Sequence, residues 1–159
     1  MSIESVRNYL KQYDASERIL EFSVSSATVD LAAQALHTQP GRIAKTLSFL
    51  LKDGSCILIV MAGDKRLDNS KYKTYFHTKA KMLAADEVLE KTGHPIGGVC
   101  PFAVPETVKI FLDRSLKEHQ TVFPACGSPN SAIELSADEL FRFSHADSWI
   151  DVSQSISPV

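Results

Sequence analysis

Long hydrophobic runs are absent from this chain of 159 residues. The longest apolar stretch, Cys56 to Ala62, is far shorter than the roughly 20 residues that cross a bilayer, so it predicts a buried strand. Residues 1–4 have neither the basic start nor the apolar run of a signal peptide. The 3 cysteines form no CxxC pair, and their odd number is typical of a reducing compartment. We therefore expect a cytoplasmic protein that does not enter a membrane.

The chain also has little net charge and few signs of a bound group. Its formal net charge is −2, whereas a protein that coats nucleic acid needs many cations to neutralise the phosphates. This balance still allows a protein that grips a short nucleic-acid end. The 5 histidines show no HxH or HxxxH spacing, and no Walker or dinucleotide-binding glycine motif is present. We expect no metal and no cofactor.

The order of elements favours one mixed domain. No repeat or linker divides the chain, so we predict a single domain over residues 1–159. Helical spacing and capping residues predict helices from Ser2, from Thr28, over 65–76, over 84–91 and from Ser136. Strands are predicted over 18–24, 45–51, 55–62, 108–112, 121–123, 131–135 and 149–152, with a hairpin turn at 52–54 and a loose tail. Because the elements mix without regular βαβ alternation, we expect an α/β protein of the α+β type.

Lys45 enters an apolar strand. Strand alternation places its side chain on the same face as Leu47, Phe49 and Leu51. An ammonium group on a core-facing side is costly to bury unless a partner or an anionic substrate meets it. One interpretation is a pocket lysine that binds a phosphate or stabilises a developing oxyanion. The other is a lysine at a strand end whose ammonium reaches water.

Two loops have compositions that are compatible with the wall of a ligand-binding pocket. Residues 93–102, Gly-His-Pro-Ile-Gly-Gly-Val-Cys-Pro-Phe, combine paired glycines, which let backbone approach a ligand, with prolines that stiffen the loop. Residues 124–131 are small, and Ser128 or Asn130 there can bind a substrate or simply form a turn. An ordinary connection explains either loop alone. The apolar side chains of the first loop favour a pocket wall.

Two further features have competing interpretations. Cys100 and His94 suggest a cysteine hydrolase, but no third member is evident and a buried cysteine fits as well. Residues 65–81 hold six basic side chains against one acid, with aromatic residues between them. Such a pattern can grip phosphates and stack an exposed base. For most of these charges we favour the usual explanation, a solvated helix whose aromatics pack inward, with one or two left to touch an RNA stem.

Four motifs occur in one order along the chain. They are residues 42–47 (RIAKTL), 60–64 (VMAGD) followed by the basic helix, 97–102 (GGVCPF) and 126–135 (CGSPNSAIEL). Together they resemble the YbaK/ProX-like family of aminoacyl-tRNA deacylases, which includes the editing domain inserted in bacterial prolyl-tRNA synthetases. The resemblance runs from about Arg18 to Val152, and four motifs in register are specific where each alone is not.

The resemblance implies a compact fold around a mixed, barrel-like sheet, with a pocket for the 3′-terminal adenosine and its amino acid. The family's invariant lysine falls on Lys45, and its catalytic glycine falls on the pair Gly97 and Gly98, whose backbone would bind the ester and orient water. The family also uses the 2′-hydroxyl of the tRNA, which agrees with the lack of an evident side-chain triad. The implied function is hydrolysis of mischarged aminoacyl-tRNA, with a synthetase as a candidate partner.

The predicted substrate contacts come from three parts of the chain. They are Phe22, Thr46, Ile96, Cys100, Pro101, Phe102, Ser128 and Asn130. Four of them are candidate walls that set the size of the accepted amino acid: Phe22, Ile96, Cys100 and Phe102. Cysteine replaces a serine common in the YbaK branch, and residues 128–130 replace a basic run, so Ala, Ser or Thr fits as well as Cys. A binding module without turnover and a Cys100-dependent hydrolase are the alternatives.

Overall fold

The computed structural model of the chain describes residues 2–156. Its helices are α1 (Ser2–Leu10), α2 (Val29–Leu36), α3 (Asn69–Phe76), α4 (Ala85–Thr92) and α5 (Ala137–Ser144). Its strands are β1 (Leu20–Glu21), β2 (Ile43–Leu50), β3 (Cys56–Ala62), β4 (Lys65–Leu67), β5 (Lys109–Asp113), β6 (Thr121–Pro124), β7 (Ser131–Ala132), β8 (Leu135–Ser136), β9 (Ser148–Ile150) and β10 (Ser153–Ser155). Over these residues no helix is long and apolar enough to cross a membrane.

A mixed six-stranded sheet forms the centre of the fold, in the order β8-β6-β2-β3-β5-β9. The hairpin β2–β3 is antiparallel, whereas β6 pairs with β2, and β5 with β3, in parallel. Two short antiparallel pairs, β1–β7 and β4–β10, lie outside this sheet. The sheet is curled into a half-barrel, and the expectation of an α+β fold around a mixed, barrel-like sheet is confirmed.

Strand β3 is buried along its whole length, because helices cover both faces of the sheet. Leu58 and Val60 pack in the larger core cluster, together with buried residues of α1, α4 and α5. Ile57, Ile59 and Met61 alternate with them and pack on the other face, where α3 contributes Tyr72. A third, smaller cluster joins α2 to β2 and β6. The predicted apolar strand is therefore the central strand, covered on both faces.

Local signals placed most element ends correctly. Thr28 accepts a hydrogen bond from the Leu31 N–H at 3.2 Å, and so caps α2 as predicted. Ser136 and Glu139 form the predicted capping box of α5. The hairpin turn at residues 52–54 lies between β2 and β3, also as predicted. These signals succeed because each depends on residues only a few positions apart.

Four predicted segments are wrong in extent. Residues 65–67 are a strand, β4, and the helix starts after Asp68, whose carboxylate accepts from the Lys71 N–H at 3.0 Å. The expected loose tail supplies the partner strand β10, while residues 157–159 lie outside the described residues. The single strand expected over 131–135 is split between β7 and β8, and that over 18–24 shrinks to β1. In each case a partner distant in sequence decides the strand.

The ion pair between Arg18 and Glu139 generates a prediction for stability against pH. The Arg18 hydrogen bond, at 2.8 Å, lowers the pKa of Glu139 from 4.5 to about 2. A carboxyl group with a lowered folded-state pKa stabilises the fold above its unfolded pKa, and this stability is lost as the pH falls through the folded value. Both side chains are more than one-third exposed. Solvent screening therefore limits the contribution of this ion pair to the free energy of unfolding to about 1 kcal/mol.

We therefore expect Glu139→Gln to lower the free energy of unfolding by about 1 kcal/mol near neutral pH, and by little near pH ~2. Denaturant unfolding of both proteins across this range measures the difference. Glu90→Gln, at an exposed glutamate of α4 outside the described ion pairs, is the control and should show no such pH dependence. Equal losses at both ends of the pH range would show that the ion pair does not matter.

Candidate functional site

A cavity of about 500 Å³ lies along β2 of the central sheet. Strand β2 lines it, together with residues 26–28 and the first turns of α2. Further lining residues come from the segment before α4 and from α4 itself, from residues 96, 97 and 99, and from β6 and β7. Its volume is in the range typical of pockets that bind small ligands.

The cavity exists because β2 is paired unequally on its two sides. Antiparallel pairing with β3 runs from Ala44 to Leu50. On its other side β2 pairs with β6 only at Ile43 and Ala44, and with the segment before α4 through a bridge between Phe49 and Met82. Between these two attachments the edge of β2 faces the cavity instead of another strand.

Thr46 lies in this gap, and its side chain is incompletely satisfied. Its Oγ1 is buried, and among residues 2–156 it has no hydrogen-bond partner. Buried hydroxyls are usually paired, and leaving one unpaired costs about 1–3 kcal/mol. Thr46 also lines the cavity, so its hydroxyl is placed to bond with a molecule that enters.

Lys45 borders the cavity beside Thr46. The neighbours expected on its face, Leu47, Phe49 and Leu51, pack together in the cluster under α3. The Lys45 ammonium donates a hydrogen bond to the Lys65 carbonyl at the start of β4. Burial lowers the pKa of Lys45, and the nearby Asp64 carboxylate opposes this shift. The ammonium is thus a half-buried cation that is held by backbone and keeps further N–H groups for an anion.

The two glycines of the pair differ in their surroundings. Gly97 lines the cavity together with Ile96, and its φ of +89° is one that side chains rarely allow. Gly98 instead lies on the backbone of the neighbouring loop, where an added Cβ would be 2.7 Å from the Gly127 carbonyl carbon and from the Ser128 nitrogen. Gly97 therefore presents backbone to the cavity, while Gly98 allows two loops to touch.

Ser128, Asn130 and Phe22 form a group behind the cavity wall. Asn130 donates from Nδ2 to the Phe22 carbonyl at 2.9 Å, and Ser128 donates to the Ser131 hydroxyl at 2.7 Å. Ser131 and Ala132, which follow them in β7, line the cavity. Among the described residues, the three predicted contacts are thus not part of the cavity lining, and their hydrogen bonds connect the segment before β7 to Phe22 and to Ser131.

Cys100, Pro101 and Phe102 lie in the core and not on the cavity wall. Cys100 and Phe102 are fully buried in the larger core cluster, and Pro101 is also buried. Burial raises the pKa of the Cys100 thiol to about 12. The expectation that Cys100 and Phe102 set the pocket size was based on their place in the loop, but the loop turns inward after Val99, which does line the cavity.

The basic run is largely used in packing and in surface ion pairs. Tyr72 is fully buried under the sheet, and Phe76 packs on it with ring centroids 4.6 Å apart. Lys71 pairs with Asp151 at 3.0 Å, and Lys65 lies 3.6 Å from Glu118. This agrees with a helix that packs its aromatic residues inward and exposes its charges.

Sequence reasoning missed the residues from two other segments that line the cavity. They are Ser26, Ala27, Thr28, Val29 and Ala32 at α2, and Met82, Leu83, Ala85 and Val88 at α4. No chemical signal marks these small and apolar side chains, and only the fold brings them to β2. Within residues 2–156, no three His, Cys, Asp or Glu side chains are grouped to hold a metal ion.

Comparisons with known proteins find relatives of similar sequence. The chain is 52% identical over 152 residues to the uncharacterised protein YwhH of Bacillus subtilis, covering 96% of this chain and 97% of that one. It is 33% identical over 105 residues to a proline–tRNA ligase of Thermosipho melanesiensis, which is 65% of this chain but 18% of the ligase.

Two solved structures superpose on nearly the whole chain. The first, a proposed trans-editing enzyme for prolyl tRNA synthetase, has a TM-score of 0.86 at 28% identity and covers 97% of this chain and 98% of its own. The second, the hypothetical protein APE2540, has a TM-score of 0.85 at 33% identity and covers 94% of this chain and 99% of its own.

The sequence model of the aminoacyl-tRNA editing domain matches residues 24–143. This range holds every part of the cavity described above, from residue 26 to Ala132. The chain therefore belongs to the aminoacyl-tRNA editing domain family.

Proposed function

We propose that this protein hydrolyses the ester bond of a mischarged aminoacyl-tRNA as a free-standing deacylase, with the 3′-terminal adenosine and its amino acid in the cavity at β2. The observation that carries the proposal is that one cavity is lined by Lys45, by Gly97 and by Thr46, whose buried hydroxyl has no hydrogen-bond partner among residues 2–156. Membership in the editing-domain family supports it. A synthetase pocket separates amino acids that differ by one methylene by only about 1–3 kcal/mol, so a second hydrolytic site has a clear use.

Each group has a distinct part in the proposed reaction. The Lys45 ammonium attracts the terminal phosphate or the oxyanion that forms as water attacks the ester carbonyl. Thr46 binds the substrate through its hydroxyl, and the Gly97 backbone orients the ester and the attacking water. The tRNA 2′-hydroxyl accepts a hydrogen bond from the attacking water and passes its own proton to the leaving 3′-oxygen as it takes up the proton of the water, so that the cavity requires no acid–base side chain. Cleavage releases the free amino acid and leaves the 3′-hydroxyl on the tRNA.

The cavity wall limits which amino acids are proposed as substrates. Its side chains near β2 are small or aliphatic, as in Ala32, Ile43 and Ala132, with the Thr46 hydroxyl among them. Such a wall accepts a small amino acid with or without one polar group. We therefore propose Ala, Cys, Ser or Thr esters, and the similarity to a proline–tRNA ligase makes tRNA(Pro) the first acceptor to use.

The geometry argues against a Cys100-dependent hydrolase. A nucleophilic cysteine needs a thiolate and a nearby base. The Cys100 Sγ lies 3.5 Å from His94 Nε2, but that nitrogen is 2.7 Å from the Phe102 carbonyl and so carries the proton that it donates. His94 Nε2 cannot then accept the thiol proton, and the thiol is fully buried.

The first prediction tests the role of Lys45. We expect the wild type to cleave at least one of Ala-, Cys-, Ser- and Thr-tRNA(Pro), and Lys45→Ala to slow this cleavage by about 100-fold or more, because it removes the cation beside the ester. Loss of labelled amino acid from tRNA over time measures the rate. Lys73→Ala, at an exposed lysine of α3, is the control. Retained tRNA binding without cleavage of any ester would favour the alternative, a binding module without turnover.

The second prediction separates the two glycines. Gly98→Ala should destabilise the fold strongly, since its Cβ meets backbone atoms at 2.7 Å that cannot rotate away. Gly97→Ala meets the Ala27 Cβ at 3.1 Å and a strained φ, a cost of about 1–3 kcal/mol that leaves the fold intact. We expect folded Gly97→Ala to have lost most deacylation, because the added methyl group alters the cavity wall. Melting curves measure the loss of stability in each variant, and ester cleavage measures the loss of activity. Together they show which glycine is required for the fold and which for the reaction.

The third prediction concerns the thiol. Cys100→Ser should keep deacylation within about tenfold of the wild type, and alkylating agents should inactivate the folded enzyme slowly, because the buried thiol is protonated. Rapid inactivation that follows modification of Cys100, identified by mass spectrometry, would instead support the cysteine mechanism.

A further inference from the structure

His94 is a buried polar residue that the proposed reaction does not use. It has no exposed surface, and both of its ring nitrogens are bonded. Nε2 donates to the Phe102 carbonyl at 2.7 Å, and Nδ1 accepts from the Ser2 hydroxyl. Because a carbonyl can only accept, these bonds select the neutral tautomer with its proton on Nε2.

These bonds join three separate parts of the fold at one point. Ser2 is the first residue of α1, and Phe102 follows residues 95–99, which we call the cavity loop because they contribute to the cavity wall. The His94 backbone N–H also donates to Thr92 Oγ1 at 3.1 Å, and Thr92 Oγ1 donates to the Val88 carbonyl at 2.7 Å. Through Thr92, His94 is connected to α4, whose Val88 lines the cavity.

A stack of close backbone contacts continues this arrangement on the other side of the cavity loop. Gly98 lies against Gly127, and Gly127 lies against Ser2, where an added Cβ would be 2.7 Å from the Ser2 hydroxyl and 2.8 Å from its carbonyl oxygen. Ser2 therefore touches the loop that supports Gly98 and also bonds to the imidazole that precedes the cavity loop. The base of the loop is held from both ends by one residue of α1 and one histidine.

We propose that His94 is a positioning residue, which fixes the cavity loop so that the Gly97 backbone faces the substrate, and that Ser2 of α1 is its partner. The inference rests on the proposed function for its catalytic consequence. His94 makes no contact with the cavity and acts through the loop. Displacing a reacting group by about 1 Å can cost up to about 100-fold in rate, so a bond at the loop base is sufficient to control turnover.

The variants separate the two bonds of the ring. His94→Leu removes both bonds at similar volume, whereas the amide nitrogen of His94→Gln can replace Nε2 as the donor to Phe102. Ser2→Ala removes only the bond to Nδ1. Because Ser2 is partly exposed, we expect this variant to fold even if a substitution of the buried His94 prevents folding. Val152→Ala, in the cluster on the opposite face of the sheet, is the control for general loss of stability.

Two measurements test the proposal on the full chain. In deacylation assays we expect His94→Leu to lower kcat about 10- to 100-fold with KM little changed, His94→Gln to recover most of it, and Val152→Ala to keep the wild-type kcat. In hydrogen exchange we expect the amides of residues 96–100 to exchange faster in His94→Leu and in Ser2→Ala, and not in Val152→Ala.

The outcomes distinguish this inference from the proposed function. If the wild type cleaves no ester, the proposed function fails, and faster exchange in the loop still supports the anchoring by His94. If the wild type is active and a folded His94→Leu keeps its kcat, the positioning role is overturned. Unchanged exchange in both His94→Leu and Ser2→Ala overturns it as well.

Discussion

The unpaired stretch of β2 is the constraint on which the site depends. The backbone of a strand has hydrogen-bonding groups on both edges, and in the interior of a sheet a neighbouring strand satisfies each edge. Here β2 is bonded to β3 along its length, but on the other side β6 leaves after Ala44 and the segment at Met82 joins only at Phe49. The cavity occupies the gap that a further strand would fill.

The backbone segments around this gap are packed so closely that a side chain at Gly98 or Gly127 would clash with its neighbours. Gly98, Gly127 and Ser2 lie in successive layers, with distances of 2.7–2.9 Å between a virtual Cβ of each glycine and the next backbone. His94 then bonds to Ser2 and Phe102 behind the same loop. The loop is thus fixed by polar bonds and by steric fit, although its own sequence of glycines is locally permissive. These contacts surround the loop in which the Gly97 backbone lines the cavity.

The basic residues occupy two different environments, the surface and the cavity, and the net charge alone does not distinguish them. Most of the basic run is solvent-exposed or paired with acids such as Asp151 and Glu118, and such surface pairs contribute about 0–1 kcal/mol each. Lys45 differs because it is half-buried and its ammonium contacts a backbone carbonyl. A cation in a less polar setting interacts more strongly with an anion than one in water. One lysine at the cavity can therefore matter more than all six basic side chains of residues 65–81.

The sequence by itself determined whatever depends on neighbours along the chain. The caps at Thr28 and Ser136, the β2–β3 hairpin and the amphipathic α1 follow from residues within one or two helical turns, and the four motifs marked the family and the positions of Lys45 and Gly97. Tertiary structure alone decided that residues 65–67 become a strand, since their partner β10 lies more than eighty positions later. It also turned Phe102 into the core, brought α2 and α4 to the cavity, and left the Thr46 hydroxyl without a hydrogen-bond partner among residues 2–156. The physical reason is that pairing, burial and an unfilled sheet edge are set by groups far apart in sequence, which no local pattern encodes.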